Sequence, residues 1–288
     1  MKALPETQLQ ERIRLSDLFA AAYRANQDPT TAALHLGEAL RISEQHQVAQ
    51  TPERYLQLAA LFGKNERHKT RDLLEKAIIL AKTNGPSARD WLPACLAAYG
   101  EWLGSIGENE EGLQALNQAL DAFELDGNQP KPSFSVIEVL RERARLAARL
   151  LDFEQTISAM QRAHALLEKA GAAFDEIASV KLQLGDHFRY FGQLDQAETV
   201  YKELLDHARQ DEGASLRTAL LLNRIGFVVE QKREYQQAIE RYLQALEVQK
   251  QFKAPIQDLQ WTAERIENCR WAYAMQQRKA RQEKEEPS

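Results

Sequence analysis

The chain has 288 residues, with 37 Lys and Arg against 42 Asp and Glu and a net charge of −5. Only 13 Gly and 9 Pro interrupt a composition rich in Ala, Leu, Gln, Glu and Arg, and no window alternates Val, Ile and Thr with period two. This excludes a β-rich fold and predicts an all-α one. The acidic balance argues against a general polyanion binder, so nucleic acid is not an expected partner.

The opening stretch is broken by Pro5, Glu6, Glu11 and Arg12 and has no apolar signal core, and nowhere do 18 apolar residues run together. No membrane segment is expected. The two cysteines, Cys95 and Cys269, lie in helical patterns with no nearby partner. That fits a reducing compartment, and the expected location is cytoplasmic.

In chain order, one pattern recurs. A small residue is followed three positions later by a bulky one, twelve later by a small one, sixteen later by a bulky or aromatic one and nineteen later by a small one. Ala20 opens it, with Phe19 before and Tyr23, Ala32, Leu36 and Ala39 after; Leu58 follows with Leu61, Thr70, Leu74 and Ala77. Gly100 comes next, with Tyr99, Leu103, Gly112, Leu116 and Ala119, then Ala144 with Ala147, Thr156, Met160 and Ala163. The clearest copies are the last two. Gly185 has Leu184, Phe188, Ala197, Tyr201 and Leu204; Gly226 has Ile225, Val229, Ala238, Tyr242 and Ala245. The six small or apolar starts are 38, 42, 44, 41 and 41 residues apart. Small side chains let two antiparallel helices approach closely, while bulky ones fill the space between neighbouring pairs.

The turns agree. Pro29 sits near a helix start, Gly107 and Gly192 stand where a helix can end in a left-handed residue, and Gly85 precedes Pro86. The longest break, residues 124–134 with Gly127, Pro130 and Pro132, is the candidate hinge. After the last copy, Ile256, Leu259, Ala263, Ile266 and Tyr273 share one helical face, with Trp261, Trp271 and Met275 on an adjacent arc. This predicts a capping helix, and the arc leaves open an oligomer contact through it.

With this pattern over about residues 13–252, the chain resembles the tetratricopeptide repeat proteins. Its spacing near 41 is similar to the long-helix repeats of kinesin light chain and of bacterial peptide-sensing regulators. The resemblance implies a right-handed α-solenoid of six helix-turn-helix repeats plus a C-terminal capping helix. The expected organisation is repeats one to three in 1–128, repeats four to six in 129–254, and the capping helix with a frayed tail in 255–288.

No phosphate-binding, dinucleotide-binding, zinc-protease or nucleophile-elbow motif occurs, and the repeats leave no room for a catalytic domain. His35, His46, His68, His164, His187 and His207 are dispersed, without the i, i+4 spacing of a helical metal pair. No cofactor or metal is expected, and the chain is not expected to be an enzyme.

The resemblance implies that the first helix of each repeat lines a concave groove. Repeat four would present Glu138, Arg141, Glu142, Arg145 and Arg149. Repeat five would present Ser179, Leu182, Gln183, Asp186, Arg189 and Tyr190, and repeat six Leu220, Asn223, Arg224, Phe227, Glu230 and Gln231. Repeats one to three would offer an apolar half: Leu18, Ala21, Tyr55, Leu56, Ala59, Phe62, Ala97 and Ala98.

The three arginines of repeat four recur at i, i+4 and i+8, so they stack on one face. Either Glu138, Glu142 and Asp186 answer them or an acidic partner does. The chaperone-tail clamp of the family is matched in kind only at Arg224. The expected partner-binding residues are Arg141, Arg145, Arg149, Gln183, Arg189, Tyr190, Asn223, Arg224 and Phe227. The expected function is a non-catalytic interaction scaffold for a protein or peptide, one with an acidic segment if those arginines are free. The alternative is a peptide-responsive regulator that changes solenoid curvature; an enzyme with a groove-built site comes third.

Overall fold

A computed structural model describes residues 5–48, 50–125, 135–211 and 213–285. The described residues form helices and turns, with no strand among them. The helices gather into two compact units, Met1–Thr156 and Ile157–Ser288. The division falls inside a helix. The candidate hinge, with Gly127, Pro130 and Pro132, lies outside the described residues.

The first unit holds α1 (Glu6–Ala25), α2 (Pro29–His46), α3 (Pro52–Phe62), α4 (Arg67–Thr83), the single turn α5 (Pro86–Arg89), α6 (Leu92–Ile106), α7 (Asn109–Leu125) and α8 (Val136–Arg149). Helix α1 packs on α2, α3 on α4 and α6 on α7, and each pair meets the next through α2 and α3, α4 and α6, and α7 and α8. Asp28 caps α2 by accepting the Thr31 N–H at 3.0 Å, with Pro29 in the first turn. Helix α6 ends on Gly107 at φ +97°.

Gly63, at φ +52° and ψ −127°, ends α3 in a conformation that side chains rarely adopt. Its carbonyl accepts the Trp102 indole N–H at 3.1 Å and the Thr70 hydroxyl at 2.9 Å. One turn thus ties α3, α4 and α6 together.

Helix α9 (Phe153–Lys169) begins in the first unit and runs into the second. The second unit continues with α10 (Phe174–Tyr190), α11 (Leu194–Asp211), α12 (Leu216–Gln231), α13 (Tyr235–Gln251) and α14 (Ile256–Glu285). From α10 to α14 each helix packs on the next. Gly192, at φ +75°, turns α10 into α11, and Ser215 opens α12 with a reciprocal capping box to Thr218.

The repeat register describes the core. Ala20, Ala32, Leu36, Ala39, Leu58, Thr70, Leu74 and Ala77 are buried; so are Gly100, Leu103, Gly112, Leu116, Ala119, Ala144, Ala147, Thr156, Met160 and Ala163. In the last two repeats Gly185, Ala197, Tyr201, Gly226, Ala238, Tyr242 and Ala245 are buried as well.

A size rule underlies this. A Cβ on Gly185 would stand 2.6 Å from Tyr201 Cε1, and one on Gly226 2.9 Å from Tyr242 Cε1. Where the opposing residue is Leu36, the position facing it holds Ala20, and the two share one core cluster. A ring in the second helix leaves room only for glycine in the first, as Leu116 also does, its Cγ 2.7 Å from where a Cβ on Gly100 would stand. Phe19 and Tyr23 depart from the pattern: both are exposed and pack against the His35 ring at 5.3 and 5.5 Å between centroids.

Helix α14 packs on α13, as a cap should, and of the expected face Ile266 is buried and Leu259 and Tyr273 are half-buried. Thr262, Ile266 and Cys269 are buried, while Ile256 and Ala263 are exposed. Thr262 is held inward by hydrogen bonding. Thr262, a small residue, faces α12 and accepts the Asn223 Nδ2–H at 3.0 Å, while its hydroxyl donates to the Asp258 carbonyl at 3.0 Å. The helix continues to Glu285, through most of the segment expected to fray. Trp271 and Met275 are exposed on it.

Candidate ligand-binding face

In the first unit, much of the expected apolar half belongs to the core. Tyr55, Ala59 and Ala97 are buried, and the Tyr55 hydroxyl donates to Glu44 Oε1 at 2.9 Å. Leu18 and Ala21 are exposed, and Leu56, Phe62 and Ala98 are half-buried.

The arginine stack of α8 is answered from within the unit. Arg141 pairs with Glu138 at 2.8 Å, and Arg145 pairs with Glu142, one turn away. The hydrogen bond that Arg145 donates to Glu142 is what raises the Arg145 pKa most. Arg149 instead donates to the Gly104 carbonyl at 2.9 Å and to Asn109 Oδ1 at 3.4 Å. It caps the end of α6, where carbonyls lack intrahelical partners.

In the second unit the same device appears twice. The Tyr201 hydroxyl donates to Asp186 at 2.6 Å, and Asp186 pairs with Arg224 on the next first helix. The Tyr242 hydroxyl donates to Glu230 at 2.8 Å, and Glu230 pairs with Arg265 of α14. Burial first, and then the carboxylate beside each ring, push both phenols well above the ordinary tyrosine range. Burial lowers the neighbouring His187 pKa, with Asp186 opposing it.

Beside these pairs, the Phe227 ring lies between two guanidinium groups. Arg189 Cζ and Arg265 Cζ each stand 5.1 Å from its centroid, and the Trp261 ring is 6.5 Å away. Arg265 has Glu230. Arg189 forms no ion pair among the described residues.

A cavity of about 410 Å³ opens along this face of α12. Leu216, Ala219, Leu220 and Phe227 of α12, Ala254 of the α13–α14 turn and Trp261 of α14 give it apolar walls. Arg189, Asn223, Arg224, Gln249 and Asp258 supply its polar groups. Two of these are orphaned: Asn223, 9% exposed, and Gln249, 5% exposed, each bury a side-chain oxygen without a hydrogen-bond partner. An unsatisfied buried acceptor costs about 1–3 kcal/mol.

Of the residues expected to bind, the structure brings Arg189, Asn223, Arg224 and Phe227 to one cavity. Gln183 and Tyr190 share the same unit but do not line it, and Arg141, Arg145 and Arg149 belong to the first unit. Gln249, Asp258 and Arg265 escape the sequence reading. Arg265 was within its reach, because it lies one further repeat spacing beyond Arg224. The signal at Gln249 is a polar residue on the stripe of Tyr242 and Ala245.

Both thiols are buried, and burial pushes each up to about 12, so neither supplies a thiolate near neutrality. Among the described residues no helix is long and apolar enough to cross a membrane.

Residues 176–251 match the tetratricopeptide repeat family model. None of the curated proteins matches the chain in sequence. Among solved structures, a putative kinesin light chain of Podosopora anserina with nearly identical repeats is similar at 15% identity and TM-score 0.56, covering 73% of this chain and 100% of that one. PilW, a type IV pilus biogenesis factor, is similar at 17% identity and TM-score 0.58, covering 87% and 98%. A signal-transduction ATPase with a tetratricopeptide repeat sensor from Pyrococcus horikoshii is similar at 14% identity and TM-score 0.59, covering 94% of this chain and 43% of that one. At such identities the likeness shows the fold alone. Residues 176–251 thus match tetratricopeptide repeats in sequence, and the chain as a whole shares the all-α repeat fold of these solved proteins.

Proposed function

We propose that the chain is a non-catalytic interaction scaffold whose α10, α12 and α14 face binds a peptide segment of a partner. An apolar side chain of the segment enters the cavity, and an acidic group pairs with Arg189. One observation carries this reading: Arg189 stands at an apolar cavity as a cation without a carboxylate of its own. Arg224, Arg141 and Arg145 are less suited to the role, because each already has an acidic neighbour.

A random peptide library displayed at low salt and selected on the full chain tests the reading. Selected peptides should carry an acidic residue near an apolar one, and Arg189→Glu should weaken them at least tenfold. Charge-assisted hydrogen bonds of about 1.5–3 kcal/mol are at stake. No ion pair is broken, so the stability cost should stay near that of the lost contact with the Phe227 ring, about 0.5–1 kcal/mol. If Arg189→Glu leaves the peptides bound while Leu18→Ala with Phe62→Ala releases them, the site belongs to the first unit.

A further inference from the structure

The cavity holds more polar information than one cation. The Thr262 hydroxyl donates to the Asp258 carbonyl and so must accept from Asn223. This fixes the Asn223 amide: Nδ2 faces Thr262, and Oδ1 is the buried oxygen left without a donor. Gln249 Oε1 is a second such acceptor at the same cavity. Asp258, at the first turn of α14, lines the cavity too, and its carboxylate forms no ion pair among the described residues. Beside the cavity lie two buried amide oxygens without a donor, the exposed carboxylate of Asp258 without an ion pair and, at Arg189, a cation without a carboxylate.

A purely anionic ligand would satisfy Arg189, leave both amide oxygens orphaned and set its charge against Asp258. A purely cationic one would do the reverse. An ammonium group has three N–H donors, as many as the acceptors on offer. Its charge is answered by Asp258, while the carboxylate of the same molecule answers Arg189, so no net charge enters the cavity.

We propose that this cavity binds a small apolar zwitterion with free amino and carboxyl ends. The ammonium is held by Asn223 Oδ1, Gln249 Oε1 and Asp258, the carboxylate by Arg189, and the apolar side chain by Leu216, Leu220, Phe227 and Trp261. A free apolar amino acid and a very short peptide share this chemistry. The inference rests on the α12 face being the binding face, and it adds that both ends of the ligand are read.

The test is calorimetric titration of the full chain, at low salt, with L-leucine, L-phenylalanine and L-leucyl-L-phenylalanine, each also in N-acetylated and C-amidated form. At least one free zwitterion should bind saturably, and blocking either end should weaken it tenfold or more. Binding by the amino acids points to a metabolite source and binding by the dipeptide alone to a peptide source; either outcome supports the proposal. Arg189→Gln and Asp258→Asn, which break no ion pair, should each weaken binding about tenfold. Gln249→Met should weaken it too while raising the melting temperature of the unliganded protein, because an orphaned acceptor is removed. Absence of binding by all three free compounds overturns the proposal, as does equal binding of blocked and free forms. Library peptides that still bind through Arg189 in that case would leave the interaction reading standing.

Discussion

Gly185→Ala should destabilise the protein by about 1–3 kcal/mol, a large effect for one methyl group. The added Cβ would sit 2.6 Å from Tyr201 Cε1, and the Tyr201 ring is fully buried, so it has nowhere to move. The same clash predicts its own rescue. With Tyr201→Leu the second unit adopts the pairing that Ala20 and Leu36 use in the first, and the double variant should be less destabilised than the two single changes added together. Tyr201→Leu alone loses the hydroxyl bond to Asp186 as well as ring volume, so it carries a cost of its own. Denaturant melts of the four proteins check this, and strict additivity would contradict the assigned contact.

Deleting residues 255–288 should be more damaging still. It uncovers the side of α13 that packs on α14, removes Ile266 and Cys269 from the core, and leaves Glu230 without Arg265 beside the Tyr242 hydroxyl. Terminal repeats need a polar outer face, so the truncated chain should aggregate or lose cooperative unfolding. Calorimetry and size-exclusion chromatography read this directly. A soluble, cooperatively melting truncation would show that α14 does not cap.

Most of the architecture is legible in the sequence because close helix packing restricts side-chain size at fixed spacings. Ala32, Ala39, Ala77, Ala119, Ala197, Ala238 and Ala245 are all nearly inaccessible, and each falls where the repeat demands a small residue. Gly107 and Gly192 take the left-handed conformation that their turns require. Spacing says less about rotation. On α14 Leu259, Ile266 and Tyr273 of the expected face are buried or half-buried, but Ile256 and Ala263 are exposed and the polar Thr262 is buried on its hydrogen bond with Asn223.

The binding face is harder to read because charge pairing is a matter of geometry, not composition. Arg141, Arg145 and Arg224 look like Arg189 in the sequence, yet each has an acidic group within reach: Glu138 and Glu142 on the same helix, and Asp186 on the preceding first helix. Tyr55 is similar. Its position suggests a groove, but its ring is buried and its hydroxyl serves Glu44, so removing it tests folding and not binding. The orphaned oxygens of Asn223 and Gln249 have no sequence signature beyond a polar residue on an apolar stripe.

The measurement that bears most directly on the scaffold reading is amide hydrogen exchange of the full chain with and without a selected peptide. Ligand bound against α12 and the start of α14 should slow exchange in residues 216–231 and 256–265 and leave residues 52–62 and 92–106 unchanged. Protection confined to the latter two segments, with none along α12, would contradict the account.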